Sequence, residues 1–185
     1  MTPELEAAYA EPHRRYHDRR HIEHCLALLD DQEDLTDGER RALTWALWWH
    51  DAVYDPTASD NEARSAERAK AALREAGASL HEREEVARLI RLTQGHAVEE
   101  GDRLGELMVS IDLAVLGATP AAYDAYARDV RAEYAHLPDE MWRLGRAQVL
   151  QHFLAAPVIF PDPGFRARLE AQARGNLARE LASLS

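Results

Sequence analysis

Apolar residues recur along this chain at i, i+3 or i+4, and i+7, the spacing of helices that turn one face to a core. The first such stretch runs from about His17 to Asp30 and carries Ile22, Cys25, Leu26 and Leu29 on one face. The next opens at Thr36-Asp37-Gly38-Glu39, a capping-box spacing, and is predicted to continue to about Val53. Its break comes at Asp55-Pro56, because proline disfavours helix in the residue before it. Ser59-Asp60-Asn61-Glu62 repeats the capping-box spacing and starts a helix ending near Gly77. Helices are then expected from about His81 to Thr93, stopped at Gly95, and from about Arg103 to Leu116, stopped by Gly117. Another enters through Thr119-Pro120, with proline at the first helical position. Two more, about Asp139 to Ala155 and Gly164 to Leu184, complete the series. Period-2 alternation of β-branched residues occurs at no useful length, so no sheet is expected. No repeat, low-complexity tract or Gly/Ser-rich linker divides the sequence. The pattern predicts an all-α single domain over residues 1–185, a bundle of about eight helices.

Composition narrows what such a bundle does. With 46% hydrophobic and 30% charged residues the chain has the balance of an ordinary globular protein. A formal net charge of -11 argues against a nucleic-acid polymer or an anionic membrane as partner. A small anionic substrate remains compatible, because a bound cation reverses the local sign. The one cysteine, Cys25, allows neither a disulfide framework nor an all-thiolate zinc site. Met1-Thr2-Pro3-Glu4-Leu5-Glu6 lacks the cationic-then-apolar layout of a signal peptide, and no apolar run reaches spanning length. A cytoplasmic protein is expected.

The chemistry concentrates in Trp48-Trp49-His50-Asp51-Ala52-Val53-Tyr54-Asp55. On a continuous helix, Leu43, Leu47, His50, Asp51 and Tyr54 share one inward face. An ionised carboxylate there is costly unless something pairs with it. A divalent cation meets that need, and a neutral imidazole beside the carboxylate is a natural co-ligand. Tyr16-His17-Asp18-Arg19-Arg20-His21 places His17 and His21 four apart, on neighbouring helical turns. Asp112 lies between Met108 and Leu116 on another apolar face. Two imidazoles and two carboxylates suit Mn, Fe, Mg or Zn as a divalent ion, with positions left for water and substrate.

The order His21, His50-Asp51, Asp112 resembles the metal-binding signature of the HD superfamily of phosphohydrolases. The resemblance is closest to small bacterial proteins described as predicted metal-dependent HD phosphohydrolases. It extends over Arg14-Arg15-Tyr16-His17, Trp49 to Pro56, Asn61-Glu62, Thr93-Gln94-Gly95-His96, Asp112 to Gly117, Gly145-Arg146 and Ala173 to Leu177, nearly the whole chain. It implies a helical bundle of the HD/phosphodiesterase type with His21, His50, Asp51 and Asp112 as metal ligands. Tyr16-His17 and His21 look like the opening motif of cyclic-nucleotide phosphodiesterases, which makes His17 the general acid. His50 to Asp55 looks like the motif of alarmone hydrolases, except that Tyr54 stands where they carry glutamate; Asp55 is kept. Asp55 and Glu62 are the candidates for orienting water, against plainer readings as a turn residue and a helix cap. Arg14 and Arg15 are the candidates for meeting substrate phosphate. His96, in a loop after Gly95, reads either as solvated or as a ligand for a second ion.

The expected activity is therefore metal-dependent hydrolysis of a phosphate monoester or phosphodiester of a small metabolite, a nucleotide foremost. The rivals are a di-iron oxygenase on the same scaffold, which needs His81 or His96 as further ligands, and a non-catalytic metal- or nucleotide-binding regulatory module. Substrate, native metal and oligomeric state, a homodimer included, are left open by the sequence.

Overall fold

Nine α-helices and one 3-10 turn make up the regular structure of residues 2–184, which the computed structural model describes. The helices are α1 (Pro3–Tyr9), α2 (Arg19–Asp30), α3 (Asp37–Trp49), α4 (Asn61–Glu75), α5 (Leu80–Leu92), α6 (Arg103–Asp112), α7 (Pro120–Glu133), α8 (Asp139–Ala155) and α9 (Pro163–Ser183), with the 3-10 turn at Leu113–Gly117. Among the described residues there is no strand, as the missing period-2 pattern predicts. Nor is any single helix among them long and apolar enough to cross a membrane. The described residues fall into two compact units, the first ending at Asp112 and the second beginning at Leu113.

In the first unit α3 is central and packs on α2, α4, α5 and α6. Its stripe Leu43, Ala46, Leu47 and Trp49 is fully buried, and each buried Leu contributes about 1.5–3 kcal/mol relative to exposure. α2 supplies Ile22, Cys25 and Leu29 to this core, α5 supplies Val86, Leu89 and Ile90, and α6 supplies Met108, Val109 and Ile111. α4 and α5 lie side by side, joined by a turn where Gly77 takes a φ of +80°. The second unit joins the 3-10 turn to α7 and α9, and α8 to α9. A Cβ on Gly117 would lie 2.6 Å from that of Leu169, so only glycine lets α9 approach the turn. The buried Asn176 amide donates to Leu116 O and Ala118 O at 2.9 and 2.8 Å. Arg146 holds Glu180 through two bonds of 2.8 and 3.0 Å.

Helix α6 stops at Asp112 instead of Leu116, the 3-10 turn taking over, and four further differences from the expectation follow. α1 is an additional helix, capped by the Thr2 hydroxyl and started by Pro3. α2 begins at Arg19 behind an Asp18 cap, so His17 lies before the helix and not on a shared face with His21. α3 ends at Trp49 instead of Val53, which puts Asp51 in the turn that follows. The capping box predicted at Ser59–Glu62 does not form: Asp60 is the N-cap and makes no side-chain cap bond. Here the Asn61 amide turns back to pair with the Asp55 backbone at 2.9 and 3.1 Å, while Ser59 O accepts from Gln94. The boxes at Thr36–Glu39 and Ser79–Glu82 are both made.

Candidate metal centre

The four residues singled out by the His-Asp pattern come from three helix ends and gather around the two imidazoles, with Asp51 in one possible metal-holding group and Asp112, beside Cys25, in another. His21 sits in the first turn of α2, His50 caps the C-terminus of α3, Asp51 follows it, and Asp112 is the last residue of α6. Nε2 of His21 lies 3.2 Å from Nε2 of His50, 3.2 Å from Asp112 Oδ1 and 3.7 Å from Asp51 Oδ2. Nε2 of His50 lies 3.1 Å from Asp51 Oδ2 and 3.4 Å from Asp112 Oδ1. An ion bonded at about 2.1 Å holds neighbouring ligand atoms about 3.0 Å apart in an octahedron and about 3.4 Å apart in a tetrahedron. Four of the five edges fit that range, and the fifth, from His21 Nε2 to Asp51 Oδ2, is longer at 3.7 Å. The imidazoles are enclosed, while the Asp51 and Asp112 side chains keep 17% and 14% exposure, which leaves a way in from solvent.

The ring orientation of His50 fits a ligand as well. Its Nδ1–H donates to Leu47 O at 2.9 Å, leaving Nε2 to face the cluster. Burial alone would depress the His50 pKa; the carboxylates of Asp51 and Asp112 outweigh it and hold the imidazole protonated well above its ordinary range. Against the same burial, His50 holds Asp51 ionised far below the usual carboxylate range, and hydrogen bonds from His21 and His50 do so for Asp112. A proton on His50 thus fills, in the metal-free protein, the place of a cation.

That arrangement sets a pH dependence. A histidine whose folded pKa is raised stabilises fully below its unfolded value, about 6.5, and the contribution disappears as pH rises through the folded value. Metal-free protein is expected to lose thermal stability above neutral pH, whereas metal-loaded protein should not, since the ion replaces the proton. Paired melting curves across that alkaline window check this. Equal pH profiles with and without metal would count against the pairing.

Around the cluster, the predicted residues separate by position. His17 stacks on Tyr54 with ring centroids 4.2 Å apart, 6.2 Å from the His21 ring and near enough for its charge to act on Asp51. The Arg14 side chain, proposed from sequence to meet phosphate, is wholly enclosed. Its guanidinium donates to His17 O, Asp51 O and Ala52 O at 2.9, 2.7 and 3.3 Å, and to Glu11 at 2.9 Å. The carbonyls left over where α3 stops need donors, and Arg14 supplies them. Arg15 is exposed and donates to Pro12 O and Arg14 O. Asp55 is also exposed, and its carboxylate accepts from Thr57 N and Oγ1 at 2.9 and 2.7 Å, as a turn residue does. Glu62 is half-buried in the first turn of α4. The structure brings neither Asp55 nor Glu62 into bonding contact with the four ligand atoms among the described residues.

Two partners escaped the sequence, and a third, His96, stood there only as a solvated loop residue or a ligand for a second ion. Tyr16 Oη lies 3.0 Å from His21 Nδ1. Tyr9 donates to Trp48 O at 2.9 Å, tying α1 to the end of α3. His96 reaches Asp112 Oδ2 with Nε2 at 3.3 Å from a backbone φ of 54°, a left-handed conformation unusual for a residue other than glycine. Of these, only His96 carried a signal, the Gly-His pair in a loop. The other contacts join residues 5 and 39 positions apart with no periodic pattern between them.

Replacing Arg14 by Met leaves three carbonyls short of a donor. A loss on the order of 3 kcal/mol follows from the cost of unsatisfied buried acceptors. Chemical denaturation of the metal-free protein reads it directly, and a loss below about 1 kcal/mol would show the strut to be dispensable. No protein-family model, curated protein or solved structure matches the chain in comparisons with each.

Proposed function

We propose that the chain is a metal-dependent phosphohydrolase acting on a phosphate monoester or phosphodiester of a small metabolite, with nucleotides the favoured class. The observation that carries this reading is the convergence of two imidazole nitrogens and two carboxylates at metal-ligand spacing, with solvent access on the carboxylate side. His21, His50, Asp51 and Asp112 would hold a divalent ion. Such an ion supplies Lewis acidity to a phosphoryl oxygen and to water.

The remaining steps belong to the chain itself. His17 stands beside the ligand set without being part of it, where as an imidazolium it would give a proton to the leaving oxygen. Tyr54 fixes the plane of that ring by stacking, and Arg14 ties the His17 carbonyl to the turn bearing Asp51. The donor and the metal ligands thereby keep one mutual geometry.

A second reading, dioxygen chemistry at two irons, draws on the contact of His96 with the far oxygen of Asp112. His81, the other histidine that reading called on, is exposed at the start of α5. Incubation of Mn²⁺- or Mg²⁺-loaded protein with a panel of nucleotides and sugar phosphates, in the absence of oxygen, separates the two. Phosphate release supports hydrolysis. Oxygen uptake that needs iron and His96, with no phosphate released from any substrate, overturns it.

A further inference from the structure

Helix α8 turns only a narrow face inward: Arg146 and Leu150 are its buried residues, and it packs on α9. On another face Met141, Leu144, Gly145, Gln148, Val149 and His152 recur at i, i+3, i+4, i+7, i+8 and i+11, and all six are exposed. Three of the four exposed large apolar side chains among the described residues lie here, Leu144 at 66%, Met141 at 61% and Val149 at 46%. Single apolar side chains at a surface need no explanation, but a contiguous group does. The stripe also holds no Asp, Glu, Lys or Arg, although 30% of the chain is charged, and depletion of charge marks the centre of protein interfaces. Gly145 stands in its middle, where glycine weakens a helix, yet a Cβ there would meet no atom within 4 Å. Packing among the described residues does not call for the missing side chain.

The stripe is complementary to itself. Its spacing is the same read from either end, so a two-fold axis at right angles to α8, between Arg146 and Ala147, lays it antiparallel on an identical stripe. Leu144 then meets the partner's Val149, and the Met141 thioether meets the ring of the partner's His152. Gly145 faces the partner's Gln148 and leaves the room that this longer side chain needs. Charge points to the same occupant. The chain carries a net charge of -11, so two copies repel one another except across a face without charge. A basic partner would be met by acidic side chains, which the stripe lacks. We infer that this face of α8 is an interface between two copies of the chain, packed antiparallel across Gly145. Six residues a side fall short of the about 20–30 of a standard interface, so the dimer is weak, with dissociation expected at about 10–100 µM.

The test is sedimentation velocity on the full metal-free chain, over concentrations spanning that range. Wild type should pass from monomer to dimer. Leu144→Glu places a charge inside the contact on both copies and should stay monomeric. Gly145→Leu is the sharper variant, because it enlarges the apolar face and strengthens the helix, yet its side chain must take the space of the partner's Gln148. It should weaken dimerisation about 10-fold or more, as overpacking a fitted contact does. Both positions are exposed, so both variants should fold, which far-ultraviolet circular dichroism checks. Wild type that remains monomeric throughout overturns the inference and leaves the stripe to a different partner. A dimer that Leu144→Glu does not weaken lies on another surface and overturns it too. So does a Gly145→Leu dimer as tight as wild type or tighter.

Discussion

Asp51→Asn is expected to lose the metal while keeping the fold. The Asp51 backbone carbonyl, which Arg14 holds at 2.7 Å, is untouched by the substitution, so the turn after α3 stays tied. The side chain loses the charge that sits 3.1 Å from His50 Nε2. A ligand matters more than a ligand's partner, so the fall in affinity should exceed the about 10–100-fold typical of outer contacts. His50→Ala should fail in a second way. It leaves Asp51 and Asp112 without the imidazolium that holds both ionised, and breaking a buried pair by removing one partner costs about 3–5 kcal/mol. Equilibrium dialysis for the metal and thermal melts of the metal-free proteins check both variants. Full occupancy in either would remove that residue from the ligand set.

His17→Ala should show the opposite pattern, with metal kept and turnover lost. Its ring is stacked on Tyr54 and lies outside the four ligand atoms. A positioned general acid contributes about 10²–10⁴-fold, and kcat is expected to fall by that order on substrates with poor leaving groups. The deficit should shrink on a nitrophenyl ester, whose leaving oxygen needs little protonation. Equal losses on both substrate types would deny His17 the proton-transfer role, and loss of metal would move it among the ligands.

How much of this was legible in the sequence depended on whether local rules applied. The helices that carry the core, α3 and α5 above all, were visible because their apolar residues follow the helical period, with a capping box at the start of α3 and Gly95 just past α5. His50 and Asp51 stood out because polar groups beside one another in an apolar run need a partner. What stayed hidden depends on distant contacts. Nothing before Pro56 looks like a stop signal for α3, yet the helix ends at Trp49 where Arg14, 37 residues away, takes up the Asp51 carbonyl. That early stop moves Asp51 from a helical face into a turn. Arg14 itself read as a candidate for meeting substrate phosphate, because a sequence does not tell an arginine that meets a ligand from one that ties carbonyls inside. The seven-residue α1 was too short to show a periodic face, although Thr2-Pro3 is a usable start signal.

X-ray absorption on the zinc-loaded protein tests the central claim most directly, because it reads the atoms around the ion without reference to any substrate. The expected shell is nitrogen and oxygen only, at about 2.0–2.2 Å, with the outer scattering of two imidazoles from His21 and His50. A sulfur at about 2.3 Å, which would bring in Cys25, or a shell with no imidazole in it would contradict the centre described here.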